Sequence, residues 1–232
     1  MWLLHVLVLY LSVITPVWGY YSYKRFKRDY RKDPRIRTAY YRKTLIEIWT
    51  LTAVFAAYVY WKGIPWTQLG FAPAEWGRVS VLVLAGLISF TIMPLIMMKF
   101  IPGYREKVHE QLQTISDFLP DTKQEKRLWV FISLTAGICE ELLFRCLLLY
   151  YFPLLIPVIA VLWAIVISSL LFGIGHCYQG TRGVVTAVIM GGIFACLYAF
   201  TGSIWLCMLL HALIDARILL MLPKTSAAER AL

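Results

Sequence analysis

Three short stretches of the chain put ionisable side chains among apolar neighbours. Glu140, Glu141 and Arg145 lie in GICEELLFRC, His176 follows FGIG, and His211 and Asp215 lie in LLHALIDAR. An ionisable group within a bilayer is costly and faces a bundle interior or a water-filled cavity, so each of these needs a reason. Glu141 and Arg145 are spaced i,i+4 with the acid first, the favourable order for an ion pair along one helix. That pair is read as structural before chemical. Glu140 points about 100° away on the same helix, on a face with Gly137 and Phe144, and the pair does not account for it. A buried glutamate without a partner is ready to exchange protons. His211 and Asp215 also share one helix face. Their spacing suits a metal half-site, a hydrogen-bonded structural pair or a catalytic pair. Gly173 and Gly175 before His176 permit close backbone approach or a kink. The economical arrangement brings these groups to one pocket, and its ingredients suit hydrolysis. A carboxylate and an imidazole can hold and deprotonate a water, and a second imidazole can donate to an oxyanion. Ser168, Ser169 and Ser203 have no motif around them, so no serine nucleophile is expected.

The elements that must position these residues follow from composition. The chain has 232 residues, is 60% hydrophobic and only 16% charged. That is too apolar for an ordinary soluble domain. Apolar runs of about 18 residues or more recur, each long enough to cross a hydrocarbon core. They are continuous rather than alternating, which excludes a membrane β-barrel. The expected fold is all-α, a polytopic integral membrane bundle of about seven transmembrane helices in a single membrane domain. The spans are predicted near residues 2–20, 44–61, 79–100, 129–152, 154–175, 183–200 and 204–222. The first lacks a basic leader and a small-residue cleavage site, so it is expected as a retained helix rather than a signal peptide. Glu47, His5 and Arg217 fall near the ends of spans, where snorkelling accounts for them.

Charge sets the orientation. The net charge is +10, and the block from Lys24 to Lys43 holds ten basic and two acidic residues. A basic block directly after a hydrophobic span holds a loop on the cytoplasmic side. The N-terminus is then outside. The loop from Gly103 to Arg127 and the tail with Lys224 and Arg230 are inside. No nucleic-acid-binding motif accompanies the charge, so nucleic acid is not an expected partner. Residues 104–119 carry apolar side chains near helical spacing and are predicted as an amphipathic helix on the inner interface. Cys139, Cys146, Cys177, Cys196 and Cys207 form no CxxC pair and are read as small buried hydrophobes. Two regions result: residues 1–126, with N-terminal membrane helices, a basic cytoplasmic loop and an interfacial helix, and residues 127–222, which carry the polar motifs.

In order along the chain, EELLFR (Glu140 to Arg145), FGIGH (Phe172 to His176) and HALID (His211 to Asp215) match EExxxR, FxxxH and Hxxx(N/D). This set resembles the CPBP family, which comprises type II CAAX prenyl endopeptidases and bacteriocin-processing or abortive-infection proteins. The resemblance covers about residues 127–220 and implies a glutamate-type intramembrane endopeptidase, a class formerly called metalloproteases. It implies that Glu140 activates water with help from His176, and that His211 and Asp215 occupy oxyanion-stabilising positions. Glu141, Arg145 and Phe172 fall at supporting positions. The better-studied prenyl proteases carry asparagine in place of Asp215. Here Asp215 is expected either to orient His211 or to stay protonated as a donor. The expected reaction uses no metal and no cofactor. A zinc alternative would take His176, His211 and a carboxylate, without an HExxH motif. The expected partners are the lipid bilayer and a membrane-associated protein or peptide cut at its C-terminal tail or near the membrane. The expected location is a bacterial inner membrane.

Two other classes remain open from the residues alone. One is a non-catalytic immunity or scaffold protein whose polar network packs helices. The other is a proton-coupled transporter with Glu140 and the histidines as a relay. Depth poses a separate problem. With a span starting at Trp129, Glu140 lies about 16 Å in at 1.5 Å per residue, whereas His176 lies at the inner end of its span. Either the fifth span kinks at its glycines or the fourth begins within the inner loop.

Overall fold

The computed structural model describes residues 1–113, 115–156 and 161–223. Lys224 and Arg230 lie outside the described residues. The regular elements among them are helices. They run α1 (Trp2–Tyr30), α2 (Ile36–Trp61), α3 (Arg78–Phe100), α4 (Tyr104–Gln113), α5 (residues 123–155), α6 (Val161–Gly175), α7 (Cys177–Thr201) and α8 (Ile204–Met221). Helices α1, α2, α3, α7 and α8 are long and apolar enough to cross a membrane, and α6 is apolar but shorter. Helix α5 fills the place of the fourth expected span and carries Glu140, Glu141 and Arg145. The chain is a polytopic helical membrane bundle.

Helix α5 is the centre of the bundle. Leu142, Leu143, Phe144, Arg145, Cys146, Leu147 and Leu148 are all buried. Over this stretch the helix is buried on every face and has no stripe to present to lipid, whereas Val130, Phe131, Leu134, Leu154 and Leu155 nearer its ends are exposed. Its start is fixed twice. Thr122 accepts from the Glu125 backbone, and Glu125 Oε2 accepts from the backbones of Asp121 and Thr122, which closes a capping box. The same Oε2 pairs at 3.0 Å with the buried Arg37 of α2, whose Nε donates to the Asp117 carbonyl.

Two sequence expectations need correction. The basic block was expected as a loop, but most of it is helical. Helix α1 continues to Tyr30 and α2 already begins at Ile36. Hydropathy marks where a helix leaves the apolar phase, not where it ends, and lysine and arginine are good helix formers. The amphipathic helix expected over residues 104–119 stops at Gln113, and Ile115 to Phe118 form turns. Its apolar side chains pack against the protein. Phe118 packs edge-on against Tyr41 at 5.5 Å and Trp129 at 5.4 Å, and Tyr41 donates to the Phe118 carbonyl.

The charged residues assigned to snorkelling have partners too. His5 Nδ1 meets the Tyr151 hydroxyl at 2.8 Å. Glu47 accepts from Trp18 Nε1 at 2.9 Å and pairs with Lys43 at 3.0 Å. Arg217 Nη1 donates to the Phe90 carbonyl in α3, and its guanidinium lies over the Phe90 ring. Pro94 explains that contact. A proline inside a helix removes the N–H that would bond the carbonyl four residues earlier, and Arg217 supplies the missing donor.

Candidate active site

Two π-helical turns of α5, Ala136–Glu140 and Leu142–Leu147, carry Glu140 and Arg145 and flank Glu141. Such widened turns recur at functional sites because they re-aim side chains without ending the helix. Glu140 and Glu141 here face different surroundings. Gly137 lets α5 approach α8. A Cβ at this position would stand 2.5 Å from the Met208 carbonyl and 2.9 Å from Ala212. Gly173 does the same between α6 and α7, where a Cβ would stand 2.2 Å from Val188. Gly175 has no such contact.

The approach at Gly137 brings Glu141 to His211. His211 Nδ1 donates to Glu141 Oε1 at 2.7 Å, and Arg145 Nη1 lies 3.0 Å from the same oxygen. A carboxylate only accepts, so Nδ1 carries a proton and Nε2 is turned the other way. Arg145 also donates to the Gly191 carbonyl at 3.3 Å, and its guanidinium is flanked by Phe172 at 4.6 Å and Phe194 at 5.5 Å. The His211 ring stacks on Phe194 with centroids 5.3 Å apart. The Glu141–Arg145 pair therefore exists as its spacing predicts, and it also orients a histidine. The orienting position behind His211 is taken by Glu141. Asp215 lies on the other side, with Oδ2 3.7 Å from His211 Nε2.

His176 sits just past the end of α6. Its Nδ1 bonds the Phe172 carbonyl at 2.8 Å, which makes Nδ1 the donor and leaves Nε2 free. That Nε2 is 4.0 Å from Glu140 Oε2, and His211 Nε2 is 3.9 Å from the same oxygen. Glu140 Oε2 is buried with no hydrogen-bond partner among the protein atoms. Separations near 4 Å are too long for direct hydrogen bonds and suit a single bridging water. The depth problem is resolved by the start of α5, at Lys123 rather than Trp129. Its first turns belong to the inner cluster of Tyr41 and Phe118.

Glu140 and His176 open into a cavity of about 220 Å³. Its far wall comes from α1 and α2, including Thr15, Trp18, Glu47 and Leu51. Sequence reasoning missed this wall, Phe194 and the Gly191 carbonyl. A phenylalanine and a glycine in an apolar span carry no signal of their own, and contacts between distant helices leave no spacing to read. Among the described residues, no group of three histidine, cysteine, aspartate or glutamate side chains is arranged to hold a metal ion.

Residues 124–217 match the family described as Rce1-like, type II CAAX prenyl endopeptidase Rce1-like. The match spans less than half of the chain and makes this segment similar to the CAAX protease family. The likeness is to a family of prenyl endopeptidases, hence to hydrolases. The apolar helices and the family together mark an integral membrane protein. No curated protein and no solved structure matches the chain.

Proposed function

We propose that the protein is a glutamate-type endopeptidase that cuts a membrane-associated substrate at or near its C-terminal tail. The observation that carries this reading is Glu140 Oε2, buried without a partner and facing Nε2 of both histidines at 4.0 and 3.9 Å. An unpaired buried acceptor costs about 1–3 kcal/mol. Glu141 Oε2 is also unpartnered, and what sets Glu140 apart is that it faces two imidazole Nε2 atoms and lines the cavity. A water between Glu140 and His176 loses a proton to Glu140 as its oxygen bonds to the peptide carbonyl carbon. His176 Nε2 accepts a hydrogen bond from the second O–H, whose hydrogen stays on the attacking oxygen. The carbonyl oxygen becomes negative and accepts from His211 Nε2, with His211 protonated on both nitrogens beside Glu141. With the orienting place taken by Glu141, Asp215, whose Oδ2 is 3.7 Å from the same nitrogen, acts protonated as a donor, since an ionised carboxylate there would repel the oxyanion. Glu140 then delivers its proton to the amide nitrogen as the C–N bond breaks. The products are a carboxylic acid and an amine, and Glu140 is again a carboxylate.

This chemistry uses no metal. Treatment of the purified protein with 1,10-phenanthroline is expected to leave its cleavage rate unchanged. Loss of the rate, with recovery on adding zinc, would favour a site of His176, His211 and a carboxylate. The basic residues between Lys24 and Lys43 support a cytoplasmic C-terminus and an outside N-terminus in a bacterial inner membrane. The decisive comparison is wild type against Glu140→Ala in cells, with the C-termini of membrane-associated proteins followed by mass spectrometry. C-terminal peptides trimmed only in wild type are expected, and they would also identify substrates. Identical C-termini, with both proteins expressed and folded, would replace the peptidase by the scaffold or the transporter.

A further inference from the structure

The wall of the cavity opposite Glu140 lies outside the matched segment, because residues 10–19 of α1 and 44–51 of α2 build it. Its lining is Tyr, Leu, Thr, Trp, Gly and Ile residues with one carboxylate, Glu47. The Glu47 carboxylate is fixed in place. Oε1 accepts from Trp18 Nε1 at 2.9 Å, and Lys43 Nζ lies 3.0 Å from it. Lys43 is held off the cavity by Ser22 Oγ at 2.7 Å, with its ammonium 5.1 Å from the centre of the Trp18 ring. Lys43 is not part of the lining, whereas Glu47 is. The pair is thus a dipole whose negative end faces the cavity that holds Glu140.

We infer that Glu47 is a specificity-determining residue, which disfavours acidic side chains at the substrate position lying in this cavity and favours donor or basic ones. The inference rests on the peptidase reading above and adds a property of its substrate. An anionic side chain there would meet two carboxylates, Glu47 and Glu140, in a partly enclosed cavity, where like charges repel more strongly than in bulk water. A repulsive element of this kind separates substrates that attraction alone would not. The competing account is an ordinary surface pair. Glu47 and Lys43 are spaced i,i+4 with side chains 44% and 40% exposed, and such pairs contribute little to stability. A purely structural pair leaves substrate preference untouched, and that difference is measurable.

The test uses the full chain in nanodiscs with lipid-anchored peptides, varied as Lys, Gln, Leu or Glu at each of the last four positions. The ratio of kcat/KM values is read by competition and mass spectrometry. At one position the wild type is expected to cleave the Gln peptide about tenfold better than the Glu peptide. Glu47→Gln keeps an acceptor for Trp18 and is expected to bring that ratio near one. The exchange Lys43→Glu with Glu47→Lys is expected to reverse it. An unchanged Gln/Glu ratio in Glu47→Gln, or no discrimination at any position in wild type, overturns the role of Glu47 and leaves the peptidase reading intact. Cleavage of no peptide by wild type, with no C-terminus altered in cells, overturns the peptidase reading and the role of Glu47 with it.

Discussion

Glu140 and Glu141 are neighbours on one helix and live in opposite environments. Glu141 is 0% exposed and its Oε1 is shared by Arg145 and His211 at 3.0 and 2.7 Å. Glu140 is 20% exposed, and its Oε2 meets only the two Nε2 atoms at water-bridging distance. His211 divides the two regions. Behind it, at Nδ1, charge is paired, flanked by aromatic rings and closed. In front of it, at Nε2, lie Glu140 at 3.9 Å and Asp215 at 3.7 Å, and Glu140 and His176 line the cavity. The closed region pays for the open one in structural terms, because a buried ion network with one fixed geometry holds the histidine while its other nitrogen stays unengaged. A side chain is preorganised when its far atom is tied down and its near atom is left free.

The sharpest way to break the comparison is to remove one charge at a time. Glu140→Gln is expected to lower kcat by about three orders of magnitude while thermal unfolding of the detergent-solubilised protein stays at the wild-type temperature. Glu141→Gln should do the reverse in kind. It leaves Arg145 buried without its counter-charge, a loss on the order of 3 kcal/mol by equilibrium unfolding, with activity falling because His211 is no longer held. Equal destabilisation by both variants would erase the distinction between the regions.

Gly137 tests how the closed region is assembled. With Met208 and Ala212 at 2.5 and 2.9 Å from a Cβ there, Gly137→Ala must push α5 away from α8. Peptide-cleavage kinetics are expected to show kcat down by about 10- to 100-fold, since displacements near 1 Å cost that much in positioned chemistry. Gly175→Ala, which meets only Phe144 at 3.8 Å, is the matched control and should cost far less.

The smallest effect concerns the tie between α3 and the end of α8. Arg217→Met leaves the Phe90 carbonyl without a donor and is expected to destabilise by about 1–2 kcal/mol. In a Pro94→Ala background the helix supplies its own N–H to that carbonyl, so the same substitution should cost less. A double-mutant cycle in urea reads the coupling directly. Additive costs would show that Arg217 does not serve the carbonyl freed by Pro94.

Much of this was legible from residue types and spacing. The apolar runs mark the helices, because a bilayer admits few other ways to satisfy a backbone. The i,i+4 spacing of Glu141 and Arg145 predicts their contact, since helix geometry alone puts them side by side. The motif residues Glu140, His176, His211 and Asp215 are few enough in an apolar chain to be collected before any fold is known. The limits of the basic block are not legible for a local reason: helical hydrogen bonding continues into water, where hydropathy has nothing to say.

What spacing cannot reach is which side chains meet across helices. Asp215 shares a face with His211, yet Glu141, from a helix 70 residues earlier, takes the orienting nitrogen. That choice depends on how closely α5 and α8 cross, and the crossing is set at Gly137 by the absence of a side chain. Arg217 looked like a snorkelling cation and instead serves a carbonyl that Pro94 left open on α3. The amino-acid sequence by itself determined which groups are expensive to bury and which neighbours they have along one helix. Only the tertiary structure decided which of them neutralise one another and which is left facing a cavity, because helix crossings are fixed by packing over the whole bundle.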